Sequence, residues 1–382
     1  MTSRPVSRSR AWAVKGAAWA VALAVVAVAG SEALLRWRAW REQARLRTMA
    51  PIRAAIEDAC RGAGTFHLHP QYLFFLPLTG EARAALSTPT CGLTPDGFRK
   101  PGPEARGARQ LAFLVGGSVA FSDMASSDAA TITSVLNRIQ DQYFFVTAGV
   151  PGWNSSQELS RVAFQLVDYH PALVVALDGA NDASLTERFA HRGGDWVGVP
   201  ADFDRLDALV SARTPLERLR QAGEALLPSL TTDARMRAER AERAARGPVR
   251  AEDLRKGAAR YVRNLTVMRD LVVATGGRFL AVFQPMAQLH RKLDVPMDGV
   301  PGLDAFHAGV LAEVPAGLDF HDFARLFDRL LPVVHINEGE LTPDTVFVDD
   351  VHVHDRGNEL LAREIWTAVQ MGGRAGGAGH GK

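Results

Sequence analysis

The sequence predicts an α/β fold: a doubly wound parallel sheet flanked by helices, with an N-terminal membrane anchor and a helical insertion. Three observations predict it. Short apolar runs recur at Leu111–Val115, Tyr143–Thr147, Leu173–Leu177 and Phe279–Phe283. They lack polar alternation, so each reads as a central strand covered on both faces. Each is followed by a helical or long connection, and β alternating with α is the pattern of a parallel sheet. At 382 residues and 47% hydrophobic, the chain has enough apolar material for a substantial core.

In chain order, Arg4, Arg8, Arg10 and Lys15 precede an uncharged stretch from Gly16 to Ser31, the order of an export signal. Ala27-Val28-Ala29 offers a signal-peptidase site, which would make the segment a cleaved signal peptide. Apolar character resumes at Ala33, Leu34, Leu35 and Trp37, and Trp12, Trp19, Trp37 and Trp40 are placed to sit near interfaces. The preferred reading is therefore an uncleaved anchor over 1–40. Arg36, Arg38, Arg41, Arg45 and Arg47 balance the basic residues ahead of it, so loop charge leaves the orientation open. Cys60 and Cys91 are the only cysteines and suit one disulfide in an oxidising compartment, with two buried thiols as the alternative. His67 and His69 stand near them, but the spacing is far from that of a zinc finger, and no metal is expected. The connecting segment 41–100 ends in "GLTPDGFRK", with Pro-Asp-Gly turn chemistry.

Residues 101–371 read as the main domain. In "NSSQELSRVAFQLVDYH", Ser155 and Glu158 offer a capping box, with Leu159, Val162, Ala163 and Leu166 on one face. "ARYVRNLTVMRDLVV" puts Tyr261, Leu265, Met268 and Val272 at helical spacing, and Gly276-Gly277 closes the helix. Between them, 183–250 is an Arg-, Glu- and Ala-rich insertion whose alternating signs predict a solvated helix, with a lid as the alternative. The last helix carries Leu360, Leu361, Ile365 and Val369 on its apolar face, and the Gly-rich tail 372–382 reads as disordered. Lys+Arg 44 against Asp+Glu 42, interleaved rather than gathered, gives no footprint for nucleic acid, and none is expected as a partner.

Polar residues gather where the strand-like runs end. "LAFLVGGSVAFSD" stops at Gly116-Gly117 and leaves Ser118 at a strand's carboxyl end, where open α/β sheets place ligands. "AGVPGWNSS" puts Gly152 after the second run, and "DGANDA" puts Asn181 after the third. "VFVDDVHVHDRGNELLAREIW" adds Asp349 and His352 before the last helix. A serine hydroxyl is a poor nucleophile until a base takes its proton, and a histidine fixed by a carboxylate is such a base. Backbone N–H groups at Ser118 and Gly152 and the Asn181 amide would serve a developing oxyanion. Asp350 and His354 lie in the same stretch. In an extended Asp-Val-His-Val-His segment His352 and His354 share a face, so His354 stays open behind His352. A zinc site from Asp349, His352 and His354 would leave the other blocks unexplained. Asp178 and Asp182 read as hydrogen-bonding partners of the loop backbone.

The order of these four blocks resembles the SGNH/GDSL hydrolases over roughly Gly92 to Val369. "GANDA" is similar to that family's Gly-x-Asn-Asp block, "DDVHVHDRGNELLA" to its terminal Asp-x-x-His block, and "DGFR" to a segment that often precedes the first strand in membrane-anchored members. Gly117 departs from the namesake motif, which has Asp before the serine. The resemblance implies a flavodoxin-like sheet and a site of Ser118, Gly152, Asn181, Asp349 and His352 without a cofactor. It implies a membrane-anchored, extracytoplasmic esterase that removes acyl groups, acetyl foremost, from cell-envelope carbohydrate or lipid. An O-acyltransferase with the same triad and a non-catalytic envelope binding module on the same fold are the alternatives.

Overall fold

A computed structural model describes residues 8–49, 66–68, 75–77, 92–94, 96–189, 226–246, 249–297, 302–337 and 341–376. Cys60 and Cys91 fall outside these residues, and so does the disulfide expected between them. Much of the insertion, 190–225, is likewise outside.

The chain divides into two units. The first comprises residues 1–48 and 204–247. Its helix α1 (Arg8–Met49) contains one segment, Trp19–Arg41, of 23 residues that is long and apolar enough to cross a membrane. Trp12, Trp19, Trp37 and Trp40 are exposed along it. Glu32 interrupts the apolar surface and is buried. Its carboxylate accepts Arg36 Nε at 2.8 Å and the backbone N–H groups of Ser229 and Leu230, at 3.1 and 2.8 Å. The acidic residue of the Trp19–Arg41 segment is thus matched by a guanidinium one turn on and by the first turn of the insertion helix, Pro228–Arg246.

The second unit comprises 49–203 and 248–382. It begins with a short antiparallel pair, β1 (Phe66–Leu68) and β2 (Phe75–Pro77). The α/β body follows as β3 (Gln110–Gly116), α2 (Ser118–Phe121), α3 (Ile132–Ile139), β4 (Tyr143–Thr147), α4 (Ser155–Phe164), β5 (Leu173–Asp178) and α5 (Ala180–Phe189). The insertion helix is α6, after which come α7 (Ala251–Ala274), β6 (Arg278–Phe283), α8 (Leu303–Glu313), β7 (Phe320–Asp322), α9 (Leu326–Leu330), β8 (His335–Ile336), β9 (Thr345–Phe347) and α10 (Asp355–Gly376).

The main sheet has five strands in the order β4-β3-β5-β6-β7, and every pairing is parallel. The expected doubly wound architecture is present. The first four strands coincide with the apolar runs, and β7 is the strand that sequence alone missed: Phe-His-Asp is too short and too polar to stand out. Alternate residues feed two cores. Phe113 and Val115 of β3 join Val174, Tyr261, Met268 and Phe306 on one face, while Ala112 and Leu114 join Ile132, Phe145, Phe347, Leu361 and Ile365 on the other. A sheet covered on both sides has no polar face, which is why its strands read as continuous apolar runs. The order of winding reverses between β3 and β5, with β4 added on one side of β3 and β5 on the other, so their carboxyl ends open a crevice at the switch point.

Two local expectations shift. The capping box of α4 is built one residue earlier than Ser155 and Glu158: the Asn154 side chain accepts the Ser156 and Gln157 N–H groups, and Gln157 returns a bond to the Asn154 N–H. Asn154 competes well with Ser155 for the cap, and Glu158 is left to turn inward. Helix α10 runs on through Gly376.

Candidate active site

The turn that carries Ser118 has no room for side chains. Gly116 has φ +147°, and a Cβ there would collide with the Leu177 carbonyl and Ala120. At Gly117 a Cβ would lie 2.5 Å from Asn181 Nδ2 and 3.2 Å from the Trp153 carbonyl oxygen. Asn181 thus occupies the space a side chain at 117 would take.

Ser118 opens α2, whose far end is held by Arg99 of the "DGFR" segment. The Arg99 guanidinium is fully buried, bonds Asp128 through Nε at 3.1 Å, and donates through Nη1 to the carbonyls of Phe121 and Ser122, at 3.0 and 2.5 Å. Ser122 sits at φ +58°, in the left-handed region, so the guanidinium fixes a strained turn four residues past the nucleophile candidate. Phe98 beside it packs on Phe113 with ring centroids 5.3 Å apart. Sequence reading noted the segment but assigned Arg99 no task. An arginine after a turn carries no signal of the three oxygens it will meet.

Ser118 Oγ lies 2.8 Å from His352 Nε2. His352 Nδ1 lies 2.9 and 2.8 Å from the two Asp349 oxygens. Asp349 Oδ1 also accepts the backbone N–H groups of Val351 and His352, at 2.9 and 2.7 Å, so the carboxylate shapes the loop that presents the ring. Burial alone would raise the Asp349 pKa. The His352 ring and the two N–H donors outweigh it and hold the carboxyl at about 2. With Nδ1–H directed to Asp349, the free Nε2 lone pair faces the serine hydroxyl, the arrangement required of a general base.

Asn181 lies in α5's first turn and donates through Nδ2 to the Trp153 carbonyl at 2.6 Å. An amide nitrogen carries two hydrogens, so one anchors the side chain and the second remains for a ligand. Gly152 adopts φ +83° with open space where a Cβ would be. Asp350 and His354 are not part of this group: Asp350 Oδ2 accepts Gln288 Nε2 at 2.9 Å, and His354 Nδ1 faces the Met124 carbonyl at 2.8 Å. Asp182 accepts the Ser155 N–H and hydroxyl, at 2.9 and 2.6 Å, whereas Asp178 meets a side chain, the Tyr261 hydroxyl, at 2.5 Å.

No protein-family model matches the chain, and no curated protein does. Among solved structures it is similar to an acetyl xylan esterase, with 15% identity over 68% of this chain and 99% of that one and a TM-score of 0.39. A lipase/acylhydrolase from Enterococcus faecalis has 15% identity over 69% and 96% of the two chains, with a TM-score of 0.37. A variant of an acetyl-xylooligosaccharide esterase from Geobacillus Stearmophilus has 13% identity over 68% and 94%, with a TM-score of 0.37.

Proposed function

We propose that the chain is a serine esterase that hydrolyses acyl esters through Ser118, His352 and Asp349. The observation that carries this reading is the unbroken line from Ser118 Oγ through the His352 ring to Asp349, with 2.8 Å at each end. Ser118 Oγ attacks the ester carbonyl as its proton passes to His352 Nε2, and Asp349 stabilises the ring cation that results. The tetrahedral oxyanion is received by the Ser118 and Gly152 N–H groups and the second Asn181 amide hydrogen. Collapse expels the alcohol, which takes the proton from Nε2 and leaves an acyl-serine. Water, deprotonated by the same nitrogen, attacks the acyl carbonyl, and collapse frees the acid and restores the serine.

The apolar length of α1 supports attachment to a membrane, and we place the α/β unit outside the cytoplasm as part of this proposal. An envelope carbohydrate or lipid carrying acetyl or another short acyl group is then the substrate class in reach. A fluorophosphonate probe tests the centre of the reading. Labelling mapped to the Ser118 peptide, and lost in Ser118→Ala, is the expected result; folded protein that stays unlabelled would make the fold a binding module.

A further inference from the structure

Glu158, in the first turn of α4, is 1% exposed, and neither of its carboxyl oxygens meets an N–H or O–H donor. An ionised carboxylate is untenable in such surroundings, whereas the neutral acid carries its own donor. The acceptor beside it is Asp178, the last residue of β5, itself 3% exposed. Asp178 Oδ1 takes the Tyr261 hydroxyl, and Oδ2 is the atom left to receive the Glu158 proton. Asp182 and Tyr261 also face the pair, and Arg260 acts on Asp182 from α7. Burial and the neighbouring Asp178 and Asp182 charges push Glu158 well above the ordinary carboxyl range.

Three ties cross one seam. Asn181 bonds the Trp153 carbonyl, Asp182 bonds Ser155, and Glu158 meets Asp178. Asn264 of α7 adds a brace to Ser155 Oγ at 3.0 Å. On one side of the seam is the loop with Gly152, on the other the loop with Asn181. We propose that Glu158 and Asp178 share one proton, and that this hydrogen bond clasps the two loops so that Glu158 is a positioning residue for the oxyanion donors. The role rests on Ser118 being the nucleophile. Loss of the proton would set a second negative charge beside Asp178, with Asp182 close by, and repulsion would part the loops.

The test compares the full-length protein in detergent micelles with Glu158→Gln and Glu158→Ala. Gln offers Asp178 a donor that cannot be lost to base. Three quantities are read from about pH 5 to about pH 10: kcat and KM on a p-nitrophenyl acyl ester, the melting temperature, and the infrared C=O stretch of a protonated carboxyl. Parent kcat is expected to fall about tenfold or more on the alkaline side at steady KM, while Glu158→Gln keeps its plateau. Glu158→Ala should lose about 10²-fold in kcat, the effect of roughly 1 Å of misplacement. The sign of the stability change follows from the raised value: above 4.5 the unfolded parent ionises Glu158 while the folded parent holds its proton. The melting temperature of Glu158→Gln should therefore exceed the parent's by a margin that widens from there upward, and the C=O band should vanish in Gln. An alkaline fall shared by parent and Gln, or a melting gap independent of pH, overturns the clasp. A parent no more active than Ser118→Ala sinks the nucleophile reading instead, and removes the positioning role even where the band and the melting gap are seen.

Discussion

His352 and His354 stand two residues apart and meet different neighbours: His352 Nε2 lies 2.8 Å from Ser118 Oγ, and His354 Nδ1 lies 2.8 Å from the Met124 carbonyl. An extended segment would put both on one face. Val353 between them does pair antiparallel with Phe347, and the two rings are told apart by the partners they meet. Asp349 folds the loop back on itself, and the His354 N–H bonds the Val346 carbonyl as the chain turns into α10. Ser118→Ala and His352→Ala are expected to cut acyl-ester turnover by about 10³-fold or more each. His354→Ala should keep kcat within about threefold and lower stability by roughly 1 kcal/mol for a lost hydrogen bond. Initial rates with a p-nitrophenyl ester, beside melting curves, separate the two. A dead His354→Ala that melts like the parent would reverse the assignment.

Asn181→Ala should reduce kcat by roughly 10²–10³-fold, the effect of one lost oxyanion donor. Gly117→Ala is expected to act in the same direction, since its Cβ would stand 2.5 Å from Asn181 Nδ2. The two changes strike the same side chain, so the double variant should be no worse than the weaker single. Parental activity in Gly117→Ala would mean that Asn181 has freedom to move without consequence.

Asp349 is held below its ordinary value of 3.8, at about 2, so its stabilising effect is present above 3.8 and is lost as pH falls from there through about 2. Asp349→Asn should cost about 2 kcal/mol of stability at neutral pH, with the difference from the parent closing across that window. Its kcat should drop by about 10³-fold or more, since Asn can hold the wrong ring tautomer. Denaturant unfolding at several pH values reads the first effect. A gap that persists unchanged at low pH would count against the Asp349–His352 hydrogen bond.

Arg99→Met leaves Asp128 without its guanidinium partner and takes one donor from each of the Phe121 and Ser122 carbonyls at the end of α2. Breaking a buried pair from one side is expected to cost about 3–5 kcal/mol. Arg99→Lys keeps the charge but not the fork that reaches Asp128, Phe121 and Ser122 together, so it should recover only part of the stability. The rate of fluorophosphonate labelling at Ser118 should fall with it. A fully stable Arg99→Met would show that the polar contacts of this guanidinium contribute little.

The sheet was readable because its strands are buried on both faces: Phe279 to Phe283 is apolar whichever way each side chain points. The four blocks were readable because glycine at a strand end and Asp-x-x-His before a helix are local patterns. What escaped depends on distant segments. Arg99 gains its meaning from Phe121, Ser122 and Asp128, and Glu158 from Asp178, neither of which is near in sequence. Glu158 even sent the wrong signal, since a glutamate three residues after Ser155 imitates a capping box that Asn154 and Gln157 form instead. Choosing between His352 and His354 likewise required distant neighbours, because two alternating histidines are equivalent until Ser118 and Met124 are placed beside them.

The choice of acceptor is the last point open to experiment, and it bears on what α1 does. A membrane-held enzyme meets donors and acceptors of the envelope at raised local concentration. Ser118, Gly152, Asn181, Asp349 and His352 all belong to the α/β unit, so a chain shortened to begin near Arg41 should keep its chemistry on a small activated ester. Without α1 the insertion helix also loses the Glu32 carboxylate at its first turn, so the shortened chain should be more open to proteolysis near Ser229 than the parent. The acyl-serine can be resolved by water or by a sugar hydroxyl, and the two leave different products. Given an acyl ester with and without excess oligosaccharide, an esterase releases free acid at a rate the sugar does not change. Acylated sugar that rises at the expense of free acid would replace hydrolysis by transfer while leaving the Ser118 chemistry in place, because only the second nucleophile differs.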